Sequence, residues 1–256
     1  MENGTIIDVS GLKKSFGKRE VLKGVDFKVK KGQVFSLLGS NGAGKTTVIR
    51  ILSTLSRPNE GTVAICGHNV VTEPTKVRSC ISLTGQYAAV DEMLTGRENM
   101  YLVAKLRHLV NYKERVYQLL KMFGLDGDAN TLVKKYSGGM RRKVDIAMSL
   151  LGDPQIIFLD EPTTGLDPQS RLSLWNTIED LKSKGTTIFL TTQYLEEAER
   201  LSDFVAVLDN GQIVSSGTPR ELKTALKNLG SQEYQSEMPT LEDVFLSIVN
   251  KEGGAK

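Results

Sequence analysis

Eight consecutive residues, Gly39-Ser40-Asn41-Gly42-Ala43-Gly44-Lys45-Thr46, set glycines, a lysine and a hydroxyl in an order suited to holding a polyanion. Glycines let successive backbone N–H groups turn inward around a phosphate, and a helix that starts at the end of the loop adds its positive pole. Lys45 is placed to neutralise β- and γ-phosphate charge and Thr46 to offer a hydroxyl to Mg2+, with Thr47 closing the cradle. The flanks agree with this reading, because Val34 to Leu38 looks like a buried strand and Val48 to Leu55 like a helix. A glycine-rich turn with an exposed lysine is the bland alternative, and the segment is expected to bind ATP or GTP.

Farther along, Ile156-Ile157-Phe158-Leu159 is an apolar run that ends in the carboxylates Asp160 and Glu161. Strand ends beside a phosphate loop are where Mg2+ is held in such folds, so Asp160 is the expected metal-side carboxylate. Glu161 projects elsewhere and can take a proton from the water that attacks the γ-phosphate, which makes it the expected general base. Standing alone, the pair also fits two acids in a turn before Pro162. Ser137, in Tyr136-Ser137-Gly138-Gly139-Met140, is an N-cap candidate for the pattern Ile146, Ala147, Leu150, Leu151. By itself that turn is an ordinary loop-to-helix entry.

These groups need a scaffold that brings strand ends together. Val34 to Leu38, Ile156 to Leu159 and Thr186 to Leu190 are β-rich and apolar throughout, as strands buried on both faces are, which predicts an α/β fold with a central sheet. Ahead of them, Ile7 and Val9, then Val25, Phe27 and Val29, alternate between turns at Gly11, Gly17, Gly24 and Gly32, which predicts a small antiparallel sheet. Between residues 97 and 151 the period turns helical: Leu102, Leu106 and Leu109, then Val116, Leu119, Leu120 and Phe123. The expected division is a nucleotide-binding core with its β-subdomain over 1–85 and 152–216, a helical subdomain over 86–151, and a C-terminal extension over 217–256.

Bulk properties exclude several classes. With 256 residues, the chain can bury a sizeable core without staples. The longest apolar run, Phe204 to Leu208, is far short of the roughly 20 residues of a membrane helix. The net charge of +3 comes from 33 basic and 30 acidic residues that are well mixed, so no nucleic acid partner is expected. Cys66 and Cys80 are too few for a disulfide framework, and no secretory leader is expected from a start that reads MENGTIIDVS. His68 and His108 lack second ligands at useful spacing, while Lys113 to Arg115 and Glu196 to Arg200 read as solvated helix faces. The tail from Asn228 to Pro239 is polar, and the final GGAK is expected to be frayed.

Taken together, GSNGAGKT, YSGGM, IIFLDEP and the trailing Gly165-Leu166-Asp167 resemble, over nearly the whole chain, the nucleotide-binding subunits of ABC transporters. The resemblance implies a phosphate-loop NTPase core with an antiparallel β-subdomain and an inserted helical subdomain. It also implies ATP and Mg2+ as ligands and hydrolysis of ATP to ADP and phosphate. Two such subunits pair head to tail in that family, so Ser137, Gly138 and Gly139 of one copy would close on the γ-phosphate held by the other. Carried over by position, Phe16 matches the aromatic that stacks on adenine. Gln86 matches the glutamine that reaches Mg2+ and the attacking water, and Asp167 the residue that communicates across the dimer. One departure stands out: the family usually has a histidine after the strand Thr186 to Thr191, and here Gln193 takes its place. An amide can still contact a γ-phosphate but cannot take up a proton near neutral pH, which leaves Glu161 as the sole proton acceptor.

The stretch from Gly85 to Asn99, the signature with Tyr136 and Met140, TTQYLEEAE and Thr240-Leu241-Glu242-Asp243-Val244-Phe245-Leu246 look like the daunorubicin-resistance branch of exporters. There a separate membrane permease carries the drug, and the ATPase subunit sits on the cytoplasmic face of the membrane, its helical subdomain near Gln86 to Asn99 docking on the permease. The rival is a soluble ABC-type ATPase that remodels ribosomes or DNA. Such proteins carry two cassettes or a long coiled-coil insertion, and this chain has one motif set. A catalytically silent regulator is disfavoured because Lys45, Asp160 and Glu161 are all present.

Overall fold

The computed structural model describes residues 4–228, 239–245 and 247, so the stretch 229–238 and the GGAK end lie outside the described residues. The alternating N-terminal residues form β1 (Thr5–Phe16) and β2 (Arg19–Lys30), an antiparallel hairpin in which Val9 faces Phe27 and Leu12 faces Val25. The chain enters the central sheet as β3 (Val34–Leu38), turns through the glycine loop into α1 (Lys45–Leu52), and returns to the first sheet as β4 (Glu60–Ile65) and β5 (His68–Asn69). That first sheet has the order β2-β1-β4-β5.

Next, α2 (Pro74–Cys80) runs into β6 (Ile81–Thr84), after which α3 (Gly96–Leu106), α4 (Tyr112–Met122) and α5 (Gly138–Ser149) interrupt the sheet. Thr95 starts α3 with a full capping box: its hydroxyl accepts from the Glu98 N–H while Glu98 accepts from the Thr95 N–H. The sheet resumes with β7 (Ile156–Asp160), α6 (Pro168–Ser183), β8 (Thr187–Thr192), α7 (Leu195–Leu201), β9 (Phe204–Asp209) and β10 (Gln212–Gly217), and α8 (Pro219–Asn228) follows. Its order is β10-β9-β3-β8-β7-β6, parallel except for the β9–β10 hairpin. The phosphate-loop strand is thus flanked on both sides, which is why β3, β7 and β8 are buried at every residue.

Period-two geometry sends alternate side chains to two cores. Ile156 and Phe158 join α1 and the antiparallel sheet on one face, where Phe35 stacks between Phe27 and Phe189 with ring centroids 5.2 Å apart on both sides. Ile157 and Leu159 meet α5 and α6 on the other. A third cluster seats Leu222, Leu226, Leu241 and Val244 against Val205 and Val207.

Two expectations need correcting. The stripe read on α3 through Leu102 and Leu106 faces solvent, and α3 packs instead through Met100 and Ala104. Glu196 to Arg200 is not a solvated face throughout, because Glu197 is completely buried on α7. Its Oε1 accepts from Thr163 Oγ1 at 2.8 Å and from Trp175 Nε1 at 3.0 Å, and burial pushes its carboxyl above the usual range.

Candidate functional site

Two close approaches dictate glycine in the loop. A Cβ on Gly39 would lie 2.3 Å from the Leu208 carbonyl oxygen, and Gly44 has φ 114° with a Leu22 methyl 2.8 Å from where its Cβ would be. Gly44 caps α1 with no side-chain bond, so the first N–H groups of α1 point into the loop with nothing from a cap in front of them. Lys45 is 4% exposed, and its ammonium donates to the Gly39 carbonyl at 2.8 Å and the Ser40 carbonyl at 3.0 Å, and stands 3.3 Å from Glu161 Oε1.

β7 delivers the carboxylates. Asp160 Oδ1 accepts from Thr191 Oγ1 at 2.6 Å and from Thr46 Oγ1 at 3.4 Å, which holds the α1 hydroxyl and the strand-end carboxylate together. Glu161 follows with φ 46°, a conformation that turns its side chain away from that of Asp160, and its N–H donates to Thr191. A cavity of about 340 Å³ brings Lys45, Thr46 and Glu161 together, while Asp160 is buried and reaches its edge only through its bond to Thr46. Asn41, Gly42, Gly44, Lys45, Thr46 and Thr47 line it from the loop, with Gln86 and Glu161 opposite. Arg19 and Val21, at the start of β2, complete its wall. Neither was legible in the sequence, where Arg19 is one more charge beside a turn.

The other expected residues lie elsewhere. Ser137 caps α5, its Oγ accepting from the Met140 N–H at 3.2 Å. Asp167 caps α6 and accepts from the Ser170 hydroxyl at 2.6 Å and the Ser170 N–H at 2.9 Å; these bonds hold its carboxyl below the usual range. Ser137, Gly139 and Asp167 border a different cavity, of about 290 Å³, while Gly138 borders a third with Gln86. Within one chain the Ser-Gly-Gly end of α5 therefore does not line the phosphate cavity. Phe16 is 55% exposed with the Lys14 ammonium 5.1 Å from its ring centroid, so it is not a core residue. Gln193 is half-buried, one residue beyond Thr192, which is level with Leu38 at the loop's entry.

No group of three or more His, Cys, Asp or Glu side chains suited to a metal occurs among the described residues. The paired oxygens of Thr46 and Asp160 fit a hard cation that takes its remaining ligands from phosphate and water, which is how Mg2+ is usually held.

A glycine loop between a buried parallel strand and a helix, with Lys45 inside it and two carboxylates at the end of β7, one strand away across β8, defines a phosphate-loop nucleoside triphosphatase. The model of the ABC transporter family matches residues 22–164. The chain belongs to that family and carries its ATPase domain. It is 49% identical over 222 residues to the daunorubicin/doxorubicin resistance ATP-binding protein DrrA of Streptomyces peucetius, a match covering 86% of this chain and 67% of that protein. It also resembles the solved ATP-binding subunit of an ABC transporter, with TM-score 0.81 and 29% identity over 95% of this chain and 99% of that one. A dimeric, post-hydrolysis ATP-binding cassette bound to ADP and Pi matches with TM-score 0.73 and 26% identity, covering 83% of this chain and 98% of that one.

Proposed function

We propose that this chain hydrolyses ATP on the cytoplasmic face of a membrane and thereby energises export of a drug-like or other amphipathic compound through a separate permease. The observation that carries the hydrolytic step is the meeting of Lys45, Thr46, Gln86 and Glu161 in one cavity at the mouth of the loop. Thr46, Asp160 and Gln86 would hold Mg2+, which when bound neutralises charge on the β- and γ-phosphates. Loop N–H groups and Lys45 bind the phosphate tail, and Phe16 stacks on adenine. Glu161 removes the proton of the attacking water, so that ATP and water become ADP, phosphate and a proton. Gln193 contacts the γ-phosphate and carries no proton.

The second half of the site comes from another copy of the chain. Ser137, Gly138 and Gly139 lie at the N-terminal end of α5, and Asp167 borders the same cavity as Ser137 and Gly139, an arrangement suited to meeting a partner's γ-phosphate. No described helix is long and apolar enough to cross a membrane, so in this reading the permease supplies the path. Tyr87, Met93, Leu102, Leu106 and Val110 are exposed apolar side chains on or near α3, and they support a docking surface for that permease on the helical subdomain, residues 86–151. The relative's role in daunorubicin and doxorubicin resistance supports an amphipathic cargo.

Glu161→Gln tests the hydrolytic core. Hydrolysis should fall roughly 10²- to 10⁴-fold while ATP affinity stays within a few-fold. Full hydrolysis by this variant would remove Glu161 as the base. Purification from membranes with the neighbouring permease co-expressed tests the transport role, and recovery with ribosomes instead would overturn it.

A further inference from the structure

α5 reaches into its own subunit's catalytic machinery through two buried charges that neither the phosphate loop nor the signature turn accounts for. Arg142 lies one turn beyond Gly138 and Gly139, and Asp145 is three residues further on the same face. Both are close to fully buried, at 5% and 6% exposure. Arg142 donates from Nε to the Pro162 carbonyl at 3.0 Å, from Nη2 to the Asp160 carbonyl at 3.3 Å and from Nη1 to the Gly85 carbonyl. Asp145 Oδ2 stands 3.5 Å from Arg142 Nη1, while its Oδ1 accepts from the Ala89 N–H at 3.2 Å. The pair therefore grips the segment 85–89 at both ends, and Gln86 lies inside the grip. The same guanidinium also fixes the backbone on both sides of Glu161. A cavity of about 320 Å³ bordered by Gln86, Gly138, Arg142 and Pro162 marks where these parts converge.

We infer that Arg142 and Asp145 are positioning residues that make the Gln86 loop and the Asp160–Pro162 backbone move as one body with α5, so that a nucleotide met by the Ser137-Gly138-Gly139 end of α5 alters the geometry of the same subunit's own site. The inference rests on the proposed pairing of two copies for what α5 senses. The grip itself does not depend on that pairing. Backbone carbonyls accept along fixed directions, and a planar guanidinium that bonds three of them leaves little freedom between the elements they belong to. A buried ion pair need not stabilise the fold, which leaves room for it to serve register.

The test follows amide exchange of segments 86–89 and 138–141 in the full-length chain, with and without ATP and Mg2+, in a Glu161→Gln background. Asp145→Ala should raise exchange at Ala89 at least tenfold without nucleotide, and unchanged exchange there would overturn the grip. In the parent, ATP should protect both segments at one midpoint. With Arg142→Met/Asp145→Leu, an apolar pair of similar bulk chosen to keep the fold, 138–141 should stay protected and 86–89 should not. Protection of both segments at a common midpoint in that variant would overturn the coupling. If ATP fails to protect 138–141 in the parent, the pairing of copies is wrong and with it what α5 senses, and the Ala89 result still decides the grip. With Glu161 restored, Arg142→Met should lower kcat ten- to a hundredfold with KM within twofold, and Arg142→Lys should recover part of it. Equal losses in kcat and KM without rescue would point to a purely structural role and refute the inference.

Discussion

Asp145→Asn offers a direct measure of what the charge buried on α5 costs. Burial pushes the Asp145 carboxyl from its ordinary 3.8 up to about 6, with the Arg142 guanidinium and the Ala89 N–H opposing the rise without cancelling it. Between those values the folded protein holds a proton that the unfolded chain has released, so stability falls as pH rises through the window, and the loss is complete above it. Two units at 1.36 kcal/mol each give a loss of about 3 kcal/mol. Asparagine has no proton to lose there. Asp160 and Glu197, which also act on Arg142, are present in both proteins and cancel to first order in the difference. Urea unfolding from pH 3.5 to pH 7.5 should therefore show the stability of the parent relative to Asp145→Asn dropping by about 3 kcal/mol across the range, most of it between pH 4 and 6. A difference that stays constant within about 0.5 kcal/mol would refute the argument that Asp145 is neutral in the folded chain at low pH.

Gly39→Ala sets a methyl against the Leu208 carbonyl, and thermal unfolding should report a loss of about 3 kcal/mol together with loss of ATP binding. Trp175→Phe removes the indole donor from Glu197 and should cost about 2 kcal/mol in the denaturant midpoint at pH 7, with the slope of the transition unchanged. Phe16→Ala, at an exposed position, should weaken ATP about tenfold by calorimetry and leave the melting temperature unmoved, as expected for a stacking residue.

The parts legible in the sequence are those governed by neighbours along the chain. β3, β7 and β8 announce themselves because strands covered on both faces are largely apolar, and the loop announces itself because its glycines, Lys45 and Thr46 lie in one unbroken stretch between a strand and a helix. Ser137 was legible as a cap for the same local reason. Glu197, Arg142 and Asp145 were not, because apart from the Arg142–Asp145 contact itself their partners are 18 to 57 residues away in the chain, and a charge flanked by charges or by a helix's polar period looks like surface. Leu102 and Leu106 misled because an exposed apolar stripe has the same helical period as a buried one. Arg19 enters the cavity wall only because the β1–β2 hairpin folds over the loop, which no local pattern records.

An ammonium has three N–H bonds, and those of Lys45 already have takers in two loop carbonyls and Glu161. A phosphate that gains one of those N–H bonds displaces one of the three acceptors, and Glu161, at 3.3 Å the longest of the three contacts, is the one carried on a side chain. In the proposed reaction, loss of that contact would leave the Glu161 carboxylate free to face water at the same step that the phosphate takes the lysine.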